Sequence, residues 1–410
     1  MKAWMFGICI GQLVMAMLLG SCMPALQTDT VRKSAYKDTS MTQETTYPTK
    51  FCRPDRGCMI PVLPKAGGQV AWSSQLDFAS PQAKADLLIS EGHVVVTGAD
   101  EIILFSSGGD RLWKRVKRMG SPAAVANGLI YYESREHYLE AVGRENQPAL
   151  DKAPFPSVDS DEFEVTLLWP RRTDFVSAVY LAEPTYDTEE SEVDAPEPEL
   201  SLRLTNYGDI IGKWGEDYEG VPELIPLYIP ELENLVFSIG EVVTVDLKLE
   251  QETSRFKAPL EPLVDWSGDS AGILCITGYH DDRKTLLAIS LDGQEKWRWT
   301  DVENPDRWVA AQPPIRSGRR VYALTSNRVL AIEQGRLLWE YQVKQGPAKH
   351  GSSLADGSVL VTAGRTLVHV DPSGNERFSV SVDKDILSMP VADAAGDIYV
   401  ATATHLVKIK

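Results

Sequence analysis

Residues 318–341 read GRRVYALTSNRVLAIEQGRLLWEY. Two apolar runs, VYAL and VLAI, are parted by a polar TSNR, and a glycine follows the second run with an aromatic four positions later, Gly335 and Trp339. Short runs rich in β-branched and aromatic residues, broken by small polar turns, form adjacent antiparallel strands. The same spacing recurs at Gly109–Trp113, Gly293–Trp297 and Gly374–Phe378, each time after an apolar run. A repeated unit therefore organises the chain.

The period follows from the aromatics. Trp72 and Trp113 are 41 residues apart, Trp297 and Trp339 are 42, and Trp339 and Phe378 are 39. The 184 residues between Trp113 and Trp297 hold four such periods once the acidic, proline-containing stretch EPTYDTEESEVDAPEPE (183–199) is set aside as an insert, and Trp214 and Phe256 fall between them, 42 apart. Eight outer strands result, around Trp72, Trp113, Leu150 to Phe155, Trp214, Phe256, Trp297, Trp339 and Phe378; only the third is degenerate. A period near 42 with about four strands per unit is that of a propeller blade. The expected fold is all-β, an eight-bladed propeller of four-stranded antiparallel blades, with seven blades as the alternative because the second unit is poor. The N-terminal QVAWSSQL (69–76) is an outer strand and the C-terminal DIYVATATHLVKIK (397–410) two inner ones, so together they complete one blade and leave no open edge.

The N-terminus is of another kind. Lys2 precedes an apolar run ending in Leu19-Gly20-Ser21-Cys22, which resembles the lipobox of bacterial lipoproteins. The resemblance implies a signal peptide over 1–21, acylation (palmitate) of Cys22, and an outer-membrane address because Met23 follows. Residues 22–68, rich in Thr, Ser, Pro and Lys, read as a disordered tether, long enough to span on the order of 35–40 Å as coil. The propeller then occupies 69–410. Cys52 and Cys58 frame FCRPDRGCM, where Pro54 and Gly57 favour a turn; a short-loop disulfide suits an oxidising compartment, half a metal site being the alternative. Cys275, within GILCITG, reads as a buried and inert thiol.

The unit in 318–341, with LLAISLDGQEKWRW (286–299), GHVVVTGADEIILFSSGGDRLWKR (92–115) and GDIYVATATHLVKI (396–409), resembles the repeat of pyrroloquinoline-quinone-type propellers. The likeness bears on fold, not on the quinone. Lipobox, mature length and blade count together resemble BamB-type subunits of the outer-membrane protein assembly machine, which act as scaffolds. Quinone enzymes of the propeller class use calcium, and many have adjacent cysteines; this chain has no adjacent cysteines.

Function classes narrow further on charge. A formal net of −17, about −18 once Lys2 leaves with the signal, opposes non-specific nucleic-acid binding and broad docking on anionic lipid. The six histidines do not pair at metal-ligand spacing; His280-Asp281-Asp282 reads as a solvated hairpin with a weak cation site as the alternative. No phosphate-loop or nucleophile-elbow pattern occurs. The repeat tryptophans read as packing between blades, while Trp308, in NPDRWVAAQPP, reads either as an exposed partner contact or as a loop anchor. The insert 183–199 reads as a solvated extension or as an arm for a basic partner. The expectation is a monomeric, non-enzymatic envelope scaffold that binds protein partners, touches membrane only through its lipid and needs no cofactor or metal. The alternatives are a quinone- or metal-dependent periplasmic enzyme and a sensor of small ligands or polysaccharide.

Overall fold

The apolar runs fold as antiparallel strands, and four consecutive strands make one sheet. In the computed structural model, residues 59–410 are described except 64–66, 79–83, 127, 137, 149–152, 155–162, 172–173, 182–199, 207–208, 215–223, 250, 303, 305 and 310–311, and between 153 and 214 only strand backbone is described. Seven sheets have four strands and one has five.

In chain order, blade 1 comprises Asp86–Ser90, His93–Thr97, Glu101–Phe105 and Arg111–Val116; blade 2 comprises Ala123–Ala126, Leu129–Glu133, Tyr138–Val142 and Ala153–Pro154. Blade 3 comprises Phe163–Arg171, Asp174–Leu181, Leu200–Asn206 and Asp209–Trp214; blade 4 comprises Leu227–Ile229, Asn234–Ser238, Val242–Asp246 and Gln251–Phe256. Blade 5 comprises Leu263–Ser267, Ile273–His280, Arg283–Ser290 and Glu295–Thr300; blade 6 comprises Ile315–Ser317, Arg320–Leu324, Arg328–Glu333 and Arg336–Gln342. Blade 7 comprises Ala348–Leu354, Val359–Ala363, Thr366–Val370 and Glu376–Ser381, and blade 8 comprises Val391–Ala392, Ile398–Ala401 and His405–Ile409, completed by the N-terminal Val70–Gln75. Within each blade the strands are a to d, from the axis outward.

The a strands neighbour one another from blade to blade: that of blade 1 lies beside those of blades 8 and 2, and that of blade 6 beside that of blade 7. The b and c strands have a neighbouring sheet on either face. Their residues are therefore apolar on both sides, and Glu101–Phe105 and Val359–Ala363 are buried throughout. The d strands form the rim and alternate exposed with half-buried residues, as in Val70–Gln75 and Arg336–Gln342.

Ring closure follows the sequence expectation. Val70–Gln75 pairs antiparallel with His405–Ile409, with Trp72 opposite Lys408 and Gln75 opposite His405. The Gly68 amide donates to the Lys410 carbonyl at 2.6 Å, and the Lys410 amide to the Gln69 carbonyl at 2.9 Å. All eight expected outer strands sit in the d position; the degenerate one is the two-residue Ala153–Pro154.

The Gly-x-x-x-aromatic spacing has a steric cause. The c–d turn glycine of one blade lies against the d-strand aromatic of the blade before it. A Cβ on Gly374 would stand 2.9 Å from the Trp339 ring, on Gly293 2.8 Å from Phe256, on Gly109 3.0 Å from Trp72, and on Gly68 2.9 Å from Phe378. Gly374 also holds φ at +90°, which side-chain-bearing residues rarely adopt. Trp339 fastens this seam further by donating its indole N–H to the Pro372 carbonyl at 2.9 Å. Gly374→Ala is expected to cost about 2–3 kcal/mol through strain and overpacking, read as a lower midpoint in chemical denaturation. Gly318→Ala, also at positive φ but with nothing within 4 Å of its Cβ, should cost less.

One expectation fails here. Residues 59–63, inside the stretch read as tether, are ordered: Met59–Ile60 is a fifth strand, parallel to Ala348–Leu354. The sequence MIPVL carries enough apolar surface to leave water, and Ile60 is fully buried. Cys22, Cys52, Cys58 and the insert 183–199 lie outside the described residues.

Candidate functional site

In an up-and-down blade the a–b and c–d turns fall at one end, and the b–c turns and d–a connections at the other. The b–c end carries most of the buried charge. At the seam of blades 5 and 6, Lys284 and Arg328 begin the c strands, while Asp301 and Asp306 lie on the connection between the blades. All four side chains are 3–6% exposed. Lys284 Nζ donates to Asp306 Oδ1 and to the carbonyls of Asn304, at 2.6 Å, and Asp306, at 2.7 Å. Arg328 donates to Asp306 through Nε at 3.0 Å and Nη2 at 2.7 Å, to Asp301 through Nη2 at 2.5 Å and to Glu340 through Nη1 at 2.9 Å. Thr325 donates its hydroxyl to Asp306 Oδ2. Burial alone would raise the Asp306 carboxyl, but the hydrogen bonds from Arg328, Lys284 and Thr325 outweigh it and hold it well below the ordinary carboxylate range. The charges are therefore fixed, and they rivet the connection to the ring.

A second rivet joins blades 1 and 2. Lys117, 2% exposed, donates Nζ to the carbonyls of Ala99 at 2.8 Å, Ser121 at 2.6 Å and Arg118 at 3.3 Å. Burial lowers its ammonium to about 8 despite Asp86, Asp100 and Glu133 nearby. Arg118 pairs with Glu133 at 2.9 Å and Arg135 with Asp100 at 3.1 Å. Beside the rivets, Met119 is 74% and Val302 66% exposed. On the same end, a pocket of about 240 Å³ opens between blades 7 and 8, lined among others by Ser73, Val382, Asp383, Lys384, Thr402 and His405.

The residues singled out from sequence do not converge. Trp308 is 6% exposed, donates Nε1–H to the Gly278 carbonyl at 2.9 Å and meets Trp299 edge-on at 6.3 Å. It is the loop anchor; as an exposed partner contact it is excluded by its burial. Cys275 is fully buried and free, and burial pushes its thiol up to about 11. His280 flanks a two-residue turn in which Asp281 and Asp282 hold φ at 50° and 59°, the mirror-image geometry that hairpins favour. The described residues contain no group of three His, Cys, Asp or Glu side chains able to hold a metal. The charged rivets escaped the sequence reading because their partners lie about twenty residues apart with no motif joining them.

His369 is a core residue. Its Nε2 lies 2.7 Å from Ser358 Oγ, which donates its own proton to Asp356, so the imidazole is the donor and Nδ1 stays bare. Nδ1 is buried without a hydrogen-bond partner, and the ring meets Phe378 edge-on at 4.9 Å. Burial, with Arg377 adding to it, lowers the imidazolium from 6.5 to about 4. Between those values the unfolded chain takes up a proton that the folded chain refuses, so stability is lost as pH falls from about 6.5 to about 4, by about 3 kcal/mol in all. Melting of wild type and His369→Leu at pH 7 and pH 4.5 should show this loss in the wild type and its absence in the variant.

No family model and no curated protein matches the sequence. Solved structures do. The quinohemoprotein alcohol dehydrogenase of Comamonas testosteroni superposes with a TM-score of 0.59 at 11% identity, covering 89% of this chain and 80% of that one. The quinohemoprotein alcohol dehydrogenase ADHIIG of Pseudomonas putida HK5 gives 0.61 at 11% identity, with the same coverage. The chain shares the PQQ-type β-propeller fold of these structures. At this identity the likeness concerns fold alone, and BamB-type assignment gains nothing from it. It does overturn one expectation: the solved neighbours of this ring are enzymes, so the reading of the chain as non-enzymatic is withdrawn.

Whether a quinone with its calcium fits can be tested on the ring itself. Among the described residues the charged side chains of the inner strands, such as Asp86, Asp265, Arg316 and Lys349, come from separate blades, and no three His, Cys, Asp or Glu side chains group there as metal ligands. The a strand of blade 7 has its axial edge covered by Met59–Ile60. Asp265, a buried carboxylate on the a strand of blade 5, accepts the Trp266 amide at 2.8 Å. These residues do not fit that group.

Proposed function

We propose that this chain is a lipid-anchored propeller of the bacterial envelope that binds a protein partner on the end carrying its b–c turns and d–a connections. The supporting observation is how that end is built. Buried charges fix two connections, and beside them Met119 and Val302 are held outward, 74% and 66% exposed. Apolar side chains on rigid loops are material for an interface core. The lipobox ending in Cys22 supports the anchor, and the resemblance to BamB-type subunits supports outer-membrane protein assembly as the setting. Crosslinking in intact envelopes tests the reading. Met119→Asp with Val302→Asp should cut recovery of the partner about tenfold or more at an unchanged melting temperature, because burying an unpaired carboxylate is costly. Undiminished recovery refutes it.

A second reading rests on the fold shared with two alcohol dehydrogenases: a quinone-dependent periplasmic oxidoreductase. The ligand set among the described residues does not support it. Incubating the purified chain with pyrroloquinoline quinone and calcium decides it, since quinone absorbance that stays with the protein and alcohol-dependent dye reduction would both be needed.

A further inference from the structure

We propose that residues 59–62 are a releasable strap that closes the axial edge of blade 7, and that behind it lies an acceptor edge for one short parallel strand. The a strand of a blade is its innermost, so a fifth strand on the far side of Ala348–Leu354 stands inside the ring. Met59 pairs with Ser353 and Ile60 with Leu354. The Ala355 amide donates to the Val62 carbonyl at 3.1 Å, and the strap turns back on itself as the Val62 amide donates to the Ile60 carbonyl at 2.8 Å. Ile60 is 0% and Val62 9% exposed, in one apolar cluster with Ile315, Leu354, Ile386 and Met389. The strap also lies against the a strand of blade 6.

Two features make it releasable while the ring persists. The ladder is only two residues long, whereas every neighbouring strand pair within blade 7 spans five residues. The burial gained by two branched side chains is set against the ordering of the four residues that carry them, and these nearly offset. Release would bare the Ala355 amide and the strap-facing edge of Ser353 along an apolar slot, while the Leu354 amide and carbonyl stay bonded to Ser358 and Gly357, the arrangement that takes an added strand. The occupant in this chain is its own segment 59–62.

Hydrogen exchange of the full chain tests it. In the wild type under native conditions the Ala355 amide should exchange at least about tenfold faster than the Val361 amide of the same blade, reporting opening of the strap alone. Equal rates would mean that residues 59–62 leave only when the ring unfolds, and would overturn the proposal. Ile60→Asp should speed Ala355 exchange by about tenfold or more and leave Val361 unchanged, while Ile60→Val should resemble wild type. A synthetic peptide of residues 59–63 added in excess to Ile60→Asp should restore Ala355 protection. Failure of the peptide to do so removes the acceptor edge, and loss of Val361 protection in Ile60→Asp makes the segment integral core.

Discussion

Replacing Asp306 with alanine is expected to cost about 3–5 kcal/mol of folding stability, the cost of stranding buried charges whose partner has been removed. The carboxylate takes hydrogen bonds from Lys284, Arg328 and Thr325, and nothing else near the connection can replace all three. Asp301 remains, 3.3 Å from Lys284 and 2.5 Å from Arg328, and Glu340 still takes Arg328 at 2.9 Å from the solvent side, so the buried Lys284 is left with Asp301 as its one carboxylate at this seam. The comparison that isolates the charge term is the quadruple variant Asp301→Leu, Asp306→Leu, Lys284→Met, Arg328→Met, which removes all four buried charges of the seam together. If buried ion pairs add little beyond an apolar replacement, most of the loss should return, read as the denaturation midpoint. A loss below about 1 kcal/mol in Asp306→Ala would mean that water enters the seam. Acid gives a second readout. Asp306 has its folded value depressed below the ordinary 3.8, so its contribution is complete above that range and is lost as pH falls through and below it. Asp306→Ala should therefore be less acid-sensitive than wild type below about pH 4.

The rim of this ring was legible in the sequence and its interior was not, and the difference is physical. The d strands carry one large aromatic at a fixed place because a ring must lie against the glycine of the next blade, as Trp339 does with Gly374. That demand repeats and shows as a period. The b and c strands were legible because burial on both faces makes them continuous apolar runs, such as HVVVT and TLVHV. The a strands obey neither rule: IRS and VA are too short and mixed to be distinguished from loop. MIPVL was lost inside a polar stretch because composition averages over its five residues. The candidate site was illegible for a further reason. Lys284 and Arg328 each meet Asp306 across 22 positions of sequence, a pairing made by the seam between two blades and announced by no local pattern. A catalytic set announces itself when spacing on one element fixes geometry; here the geometry arises between elements.

Deleting residues 405–410 is expected to abolish cooperative folding of the whole ring. The segment is the c strand of blade 8, lying between Val70–Gln75 and Ile398–Ala401, and it buries Leu406, Val407 and Ile409 at 0–4% exposure. At about 1.5–3 kcal/mol for each such side chain, its loss removes about 5–9 kcal/mol, the whole of an ordinary domain's margin of 5–15 kcal/mol at its lower end. The deletion also removes Lys408, which pairs with Asp397 at 2.8 Å, and leaves the Trp72 strand without the strand it pairs with. The size of the loss is less informative than its reach. In an open stack of sheets, removing the last strand frays the last unit while the others melt as before. In a ring that both chain ends close together, blade 8 is the joint between blades 7 and 1, so its failure exposes the faces of both. Far-ultraviolet circular dichroism in denaturant should show a broad transition, or none, in place of one sigmoidal step. Hydrogen exchange should find protection lost at Val95 in blade 1 and Val361 in blade 7 alike. A truncated chain that keeps protection in blade 1 while losing only blade 8 would show that the terminal strands decorate the ring and do not hold it shut.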